Sequence, residues 1–106
     1  MTTVLCNFDK KDIGTVKSDT TLSFTYRMQN TGKDSLRVLY VSPDCNCTGY
    51  KLSKRIAGVG DSIMLTLNVD MRNKHDGRFM LSTVVGLNTE QREHIIIVEG
   101  NVFRGK

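Results

Sequence analysis

The 106-residue chain has no tryptophan, a single proline and few aromatic residues, which make up 7% of the sequence. Any core must therefore come mainly from Leu, Ile, Val and Met side chains. Apolar residues reach 39%, and a chain of this size buries roughly two-thirds of its extended surface on folding. We expect one domain that spans residues 1–106.

Long apolar runs are also missing. The longest, at residues 95–98, is far shorter than the roughly 20 residues that a membrane-spanning helix needs. The opening Met1-Thr2-Thr3 lacks the basic and apolar segments of a signal peptide. The sequence therefore predicts no transmembrane segment, and the missing leader, taken alone, favours the cytoplasm.

Charge of one sign is not concentrated anywhere. Basic residues exceed acidic ones by 15 to 11, which gives a net charge of +4, but they are scattered singly along the chain. Neutralising a phosphate backbone needs a denser stripe of Lys and Arg. We therefore expect no nucleic-acid partner.

The patterns of common catalytic and metal sites are absent as well. No glycine-flanked elbow presents a serine nucleophile. Asp9 and Asp12 flank a predicted lysine turn and do not read as a glycosidase pair. The three cysteines and two histidines form no second Cys-x-x-Cys or His-x-x-x-His pair that would complete a zinc site. We expect no catalytic residue, no metal and no cofactor.

What the chain does have is alternation of apolar and polar residues with a period of two. The pattern predicts strands at residues 4–8, 13–16, 21–29, 36–41, 63–69, 79–85 and 93–103, with turns between them. At 36–41 we expect Leu36, Val38 and Tyr40 to point inward, and at 30–34 a turn with positive-φ residues. The predicted core contains Leu22, Phe24, Tyr26, Leu65, Leu67, Phe79 and Leu81.

About seven short strands with this spacing of turns predict an all-β fold, an Ig-like two-sheet antiparallel β-sandwich. An eight-stranded barrel is the alternative. Cys6 alternates with Val4 and Phe8 on one side of its strand, and we expect it to be buried in the core. His75 and His94 are expected on the solvated surface.

The most unusual stretch is a pair of cysteines two residues apart, just after the only proline. They could ligate a metal, form a strained and reducible Cys-x-Cys bridge, or pack at the sandwich edge as small hydrophobes. The packing interpretation is favoured. The candidate functional loop comprises Asp44, Cys45, Asn46, Cys47, Thr48, Tyr50 and Lys51.

Several short motifs occur in a characteristic order: Phe8, Ile13-Gly14-Thr15-Val16, residues 24–32 ending Asn30-Thr31-Gly32, Leu36-Arg37-Val38, Cys45-Asn46-Cys47-Thr48, Asp76-Gly77-Arg78-Phe79 and residues 96–102. The chain thereby resembles a family of Ig-like domains of unknown function that is common in Bacteroidetes and carries a Cys-Gly-Cys-Thr loop. The resemblance covers residues 6–103. Here Asn46 replaces the central glycine, and residues 58–61 replace a Pro-Gly-Glu turn.

The resemblance implies a β-sandwich akin to major sperm protein and pilus chaperones, exported behind a leader and without an established activity. It moves the expected compartment to the periplasm or cell surface. Three segments also look like O-glycan sites of exported Bacteroidetes proteins: Asp19-Thr20-Thr21, Asp34-Ser35-Leu36 and Asp61-Ser62-Ile63. Asp-Ser and Asp-Thr are, however, also common where a turn leads into a strand.

We therefore expect a non-catalytic extracytoplasmic Ig-like module for protein interaction or structural packing. Its contact surface would be the segment 43–55 with the neighbouring strand edge, because unpaired edge groups can take up a partner strand. One alternative is a thiol redox or metal-binding module centred on Cys45 and Cys47. Another is a glycan-binding domain, which the lack of tryptophan disfavours, since only Tyr50 is placed to stack on a sugar.

Overall fold

A computed structural model of the chain describes residues 1–6, 10–17, 20–44, 48–71 and 77–103. The described residues contain no helix. Their strands are β1 (Val4–Leu5), β2 (Lys11–Lys17), β3 (Thr21–Asn30), β4 (Leu36–Pro43), β5 (Thr48–Leu52), β6 (Ile56–Ala57), β7 (Ser62–Asp70), β8 (Gly77–Leu87) and β9 (Glu93–Phe103). The expectations placed on Phe8, Asp9, Cys45, Asn46, Cys47, His75 and Asp76 fall outside the described residues.

The strands form two sheets, with the orders β1-β3-β7-β5 and β2-β9-β8-β4-β6. All neighbouring strands are antiparallel except β2 and β9, which are parallel. The fold is an all-β sandwich, as the alternation predicts. The described residues form nine strands rather than about seven, and one pair departs from the predicted antiparallel arrangement.

The pairing of β3 with β7 shows why period-two alternation produces this sandwich. On the inner side Tyr26 lies opposite Leu65, and Met28 lies opposite Ile63. The last three of these are 0% exposed. The outer side is mostly polar, and two of its cross-strand pairs are hydrogen-bonded: Ser23 Oγ donates to Asn68 Oδ1 at 2.7 Å, and the Thr25 and Thr66 hydroxyls are 3.2 Å apart.

Most of the predicted core is buried as expected. Tyr26, Leu65, Leu67, Phe79 and Leu81 are all less than 10% exposed. Leu22 and Phe24 are only half-buried and pack against the core from its side. The predicted inner row is therefore correct along β3, β7 and β8, and it is less deeply buried at the start of β3.

The predicted inner row of β4 is wrong at its end. The register with β8 shifts between Val38 and Tyr40, as in a β-bulge. The extra residue reverses the alternation, so that Leu36, Val38 and Val41 are buried while Tyr40 is half-buried. Leu39, which lies between two residues of the predicted inner row, is 45% exposed.

Three segments expected to be loop or turn belong to strands. Thr48–Leu52 and Ile56–Ala57 form β5 and β6. β2 begins at Lys11, so the predicted charged turn at residues 9–12 is wrong for Lys11 and Asp12. These strands lie at sheet edges, where one side is uncovered and the apolar alternation is correspondingly weak.

Glycine occurs in two turns for different physical reasons. The predicted turn at 58–61 is confirmed, with Gly60 at φ 82° and a hydrogen bond of 3.0 Å from Asp61 N to Gly58 O. In the turn at 30–34, Gly32 does not have the predicted positive φ. A Cβ there would lie 2.1 Å from Thr2 Oγ1 and 2.6 Å from Thr3 N, so glycine is needed for close approach of the N-terminal segment.

Asn30, at the end of β3, is 1% exposed and uses all of its side-chain hydrogen-bonding capacity near this turn. Its Oδ1 accepts from Thr2 Oγ1 at 2.7 Å and from Gly32 N at 3.1 Å. Its Nδ2 donates to Asp34 O at 2.7 Å and to Ala57 O at 3.1 Å. One buried amide therefore ties together four separate backbone or side-chain partners.

We predict that Leu65→Ala lowers the free energy of unfolding by roughly 2 to 5 kcal/mol, because it removes a fully buried side chain and leaves a cavity. Met64→Ala, one position away on the outer side and 38% exposed, is the matched control and should change stability far less. Urea unfolding followed by circular dichroism measures both. Equal losses would place Leu65 outside the core.

We predict that Asn30→Ala costs about 2 to 4 kcal/mol, because it leaves several buried donors and acceptors without partners. Asn68→Ala is the control, since Asn68 is exposed and its side chain accepts a hydrogen bond from Ser23. That control should cost less than about 1 kcal/mol. Similar losses in the two variants would show that the Asn30 contacts do not hold the fold.

Candidate functional site

The two described residues that flank the cysteine pair contact different sheets. Asp44 follows β4: its N donates to Ser82 O at 2.9 Å, and its Oδ2 accepts from Ser82 Oγ at 3.1 Å. Thr48 begins β5 opposite Val69 in the other sheet. The chain thus changes sheet between Asp44 and Thr48, and the two thiols are outside the described residues.

After this crossing, β5 forms the edge of the four-stranded sheet and, among the described strands, pairs only with β7. Its end is held by Ser53, whose N donates to Met64 O at 3.0 Å and whose Oγ accepts from Met64 N at 2.9 Å. Because hydrogen-bonded pairs alternate in an antiparallel ladder, Gly49 and Lys51 turn their backbone groups toward β7. Those of Tyr50 and Leu52 point to the open side.

The side chains of β5 alternate in the same way. Tyr50 and Leu52 are opposite Leu67 and Leu65 on the inner side. Tyr50 is 40% exposed, while Leu52 is half-buried against the core. Lys51 is exposed on the outer side beside Thr66. The edge therefore presents an apolar inner rim and a cationic outer one.

Lys54 and Arg55 extend this positive charge beyond the strand. Lys54 Nζ forms an ion pair with Asp61, and its hydrogen bond, together with one from the backbone N–H of Ser62, lowers the pKa of the Asp61 carboxyl. The Arg55 carbonyl accepts from Val38 N at 2.9 Å, and its side chain is exposed. Lys51 therefore supplies an exposed positive charge on the outer side of β5, whereas Arg55 is bonded to β4 of the other sheet.

Cys6 is half-buried rather than fully buried, although it packs against the core as predicted. Burial raises the pKa of its thiol from 9.0 to about 11. Burial, and then the charge of the Cys6 thiolate, also raise the pKa of the Tyr26 hydroxyl. A thiol in this position remains protonated at neutral pH and is a poor nucleophile.

The expectation that His94 lies on the solvated surface is wrong. His94 is half-buried, its Nε2 lies 3.1 Å from Thr89 Oγ1, and burial lowers the pKa of its imidazole. Thr89 Oγ1 in turn donates to Gln91 O at 2.6 Å. His94 therefore helps to organise the turn between β8 and β9.

Sequence analysis missed a buried carboxylate on the outer side of β9. Glu99 is 7% exposed, and its Oε1 lies 2.9 Å from Arg78 Nη2 and 3.2 Å from Lys10 Nζ. Alternation alone gives it a solvated position, because the two cations that cover it come from other parts of the chain. The charges connect β8 and β9 with the residue preceding β2.

Taken together, the described members of the candidate loop do not converge on one point. Asp44 is bonded to the five-stranded sheet, whereas Tyr50 and Lys51 belong to the edge of the other sheet. Within the described ranges no group of three or more Cys, His, Asp or Glu side chains could hold a metal ion. No helix in those ranges is long and apolar enough to cross a bilayer.

Residues 6–102 match the sequence profile of a family described as a protein of unknown function, DUF1573. No curated protein matches the chain. A solved protein of unknown function from Porphyromonas gingivalis W83 has a TM-score of 0.82 at 16% identity, over 94% of this chain and 46% of that one. This chain therefore spans about half the length of the Porphyromonas protein.

Two more distant structures share the fold. PapD-like domain 7 of human CEP192, an ASH / PapD-like domain, has a TM-score of 0.68 at 10% identity, covering 99% of this chain and 88% of that one. WR4, an MSP family member of C. elegans, has a TM-score of 0.53 at 9% identity, covering 97% and 100%. These likenesses confirm a sandwich of the kind that the resemblance implies.

We predict that the Cys6 thiol, studied with Cys45 and Cys47 changed to Ser, is alkylated with a midpoint near pH 11 in the folded protein and near pH 9 in denaturant. Because the folded-state pKa is the higher one, the thiol's contribution to stability is complete below about pH 9 and is lost as the pH rises. Alkylation rates measured against pH test this. Identical midpoints in both states would show that Cys6 is not shielded.

Proposed function

Because the chain belongs to the DUF1573 family, whose function is unknown, we propose its role from its geometry: a non-catalytic module for protein interaction or structural packing. The module acts at the periplasm or cell surface, the compartment implied by the resemblance to exported Ig-like domains with a Cys-Gly-Cys-Thr loop. One observation carries the proposal. β5, an edge strand with exposed Tyr50 and Lys51, directly follows the cysteine pair in the sequence.

The use of polar groups elsewhere in the sandwich supports this assignment. The side chain of Asn30 is fully hydrogen-bonded, Glu99 is paired with two cations, and Asp61 is paired with Lys54. Such groups hold strands and turns in place. The backbone groups on the open side of β5 are different, because no other described segment bonds them and an added strand could.

The competing functions make different demands on the same region. A thiol oxidoreductase needs a thiolate at Cys45 or Cys47 near neutral pH. A metal module needs these residues as ligands, so that folding and metal binding are coupled. A glycan-binding domain would have to stack a sugar on Tyr50, which is 40% exposed.

We predict that Cys45→Ser with Cys47→Ser folds, with stability lower by about 1 to 3 kcal/mol because hydroxyls would replace thiols that we expect to be packed. In the unmodified chain, both thiols should be alkylated slowly at neutral pH, and the protein should not catalyse reduction of insulin disulfides. The single variant Cys6→Ser is the control for the alkylation assay. Protease accessibility of the full-length protein in intact cells tests the compartment.

Two results would overturn this function. An alkylation midpoint below about pH 7 at Cys45 or Cys47, with turnover of insulin, would identify a thiol oxidoreductase. Zinc or iron at one equivalent in untagged protein, lost together with folding in Cys45→Ser, would identify a metal module.

A further inference from the structure

We infer that the open edge of β5 binds an extended segment of a partner protein in which apolar and acidic residues alternate, by adding it as a further strand. The inference rests on the proposed function and deepens it by naming the partner chemistry. Adding such a strand would enlarge the sheet β1-β3-β7-β5 from four strands to five, the number in the opposite sheet.

The backbone of β5 supplies the first argument. Tyr50 and Leu52 occupy the positions that do not bond to β7, and each carries one N–H and one C=O. Among the described residues, neither makes a further backbone hydrogen bond. An extended segment laid against this side would satisfy two donors and two acceptors at once.

The strands at the other three ends of the two sheet orders are less suitable in the described structure. β1 and β6 contain two residues each. β2 is longer, but its register shifts between Asp12 and Thr15, and Gly14 has a φ of 72°. Such an irregularity interrupts the row of backbone groups that a strand needs. Among the four strands that end the two sheet orders, β5 therefore has the longest regular row.

The side chains of β5 specify the partner. Residues of an added strand that lie on the inner side would contact Tyr50 and Leu52, which favours apolar side chains. Residues on the outer side would lie beside Lys51, which favours Asp or Glu. The segment 48–55 contains three basic residues and no acidic one. Lys54 is paired with Asp61, and it is Lys51 on β5 that makes the edge complementary to an acidic strand.

Lys51 also disfavours pairing between the β5 strands of two copies of this chain. Lysine on an edge strand discourages self-association, because like charges placed opposite each other are destabilising. Two β5 strands paired about Lys51 would bring the two ammonium groups together. An acidic partner reverses the sign of that interaction, so Lys51 selects the partner by charge.

The probe is a fluorescently labelled eight-residue peptide of alternating Val and Glu, and its charge control has Lys in place of Glu. We expect fluorescence polarisation to show saturable binding of the Val-Glu peptide, and binding of the Val-Lys peptide weaker by about tenfold or more. Lys51→Glu should reverse this preference. Lys17→Glu, a change at an exposed lysine of β2, should leave the affinity of both peptides unchanged.

Two N-methylated peptides test strand addition without altering the protein. In an antiparallel pair, the partner's Val N–H groups would point toward Tyr50 and Leu52, and its Glu N–H groups would point to solvent. Methylating every Val nitrogen should then abolish binding, and methylating every Glu nitrogen should preserve it. A parallel arrangement would exchange the two results, so one of the two peptides binds in either case.

Hydrogen exchange provides a second signature in the protein itself. Adding the Val-Glu peptide should slow exchange of the Tyr50 and Leu52 amides and leave those of Gly49 and Lys51 unchanged, because the latter already bond to β7. Absence of Val-Glu binding, equal binding of both N-methylated peptides, or protection without this alternation would overturn the inference. The cysteine experiments would still decide the non-catalytic role separately.

Discussion

The buried amide of Asn30 is the contact on which the arrangement of the two sheets most depends. From β3 to β8 the chain changes sheet at every connection, so each connection must be fixed for the strands to pair correctly. Asn30 joins the N-terminal segment to the turn after β3 through Thr2 and Gly32. It also holds Ala57, the last residue of β6. A sandwich with these crossings needs such a tie, since apolar packing is not directional.

The hydrogen bonds of Asn30 also help to position the edge strand β5. The Asn30 backbone donates to Asp61 O and accepts from Gly60 N, which fixes the turn that leads into β7. Asp61 in turn pairs with Lys54, and Ser53 closes the end of β5 on Met64. The open edge is therefore held by bonded neighbours at its C-terminal end. A preorganised edge loses less conformational entropy when a partner strand binds.

The sequence predicts the central strands well because burial on one side leaves a clear alternation, as along β3 and β7. It does not predict β5, because an edge strand is covered on one flank only and Gly49 and Lys51 weaken the pattern. The bulge that exposes Leu39 and the contacts of Asn30 and Glu99 depend on residues distant in sequence. Of the candidate site, the exposure of Tyr50 and Lys51 follows from sequence, whereas their place on a strand edge does not.

The polar groups of this sandwich are of two kinds. Some are paired within the protein and hold strands together, and others are backbone groups at an open edge, where another chain can bind. Glu99 illustrates the first case: its carboxylate is covered by Lys10 and Arg78, and these contacts hold strands together. β5 illustrates the second, because no side chain of β5 can hydrogen-bond a whole row of backbone groups. An added strand can, and its alternating side chains would meet Tyr50 on one side and Lys51 on the other. Backbone pairing would then supply affinity, and the charge of Lys51 would supply selectivity.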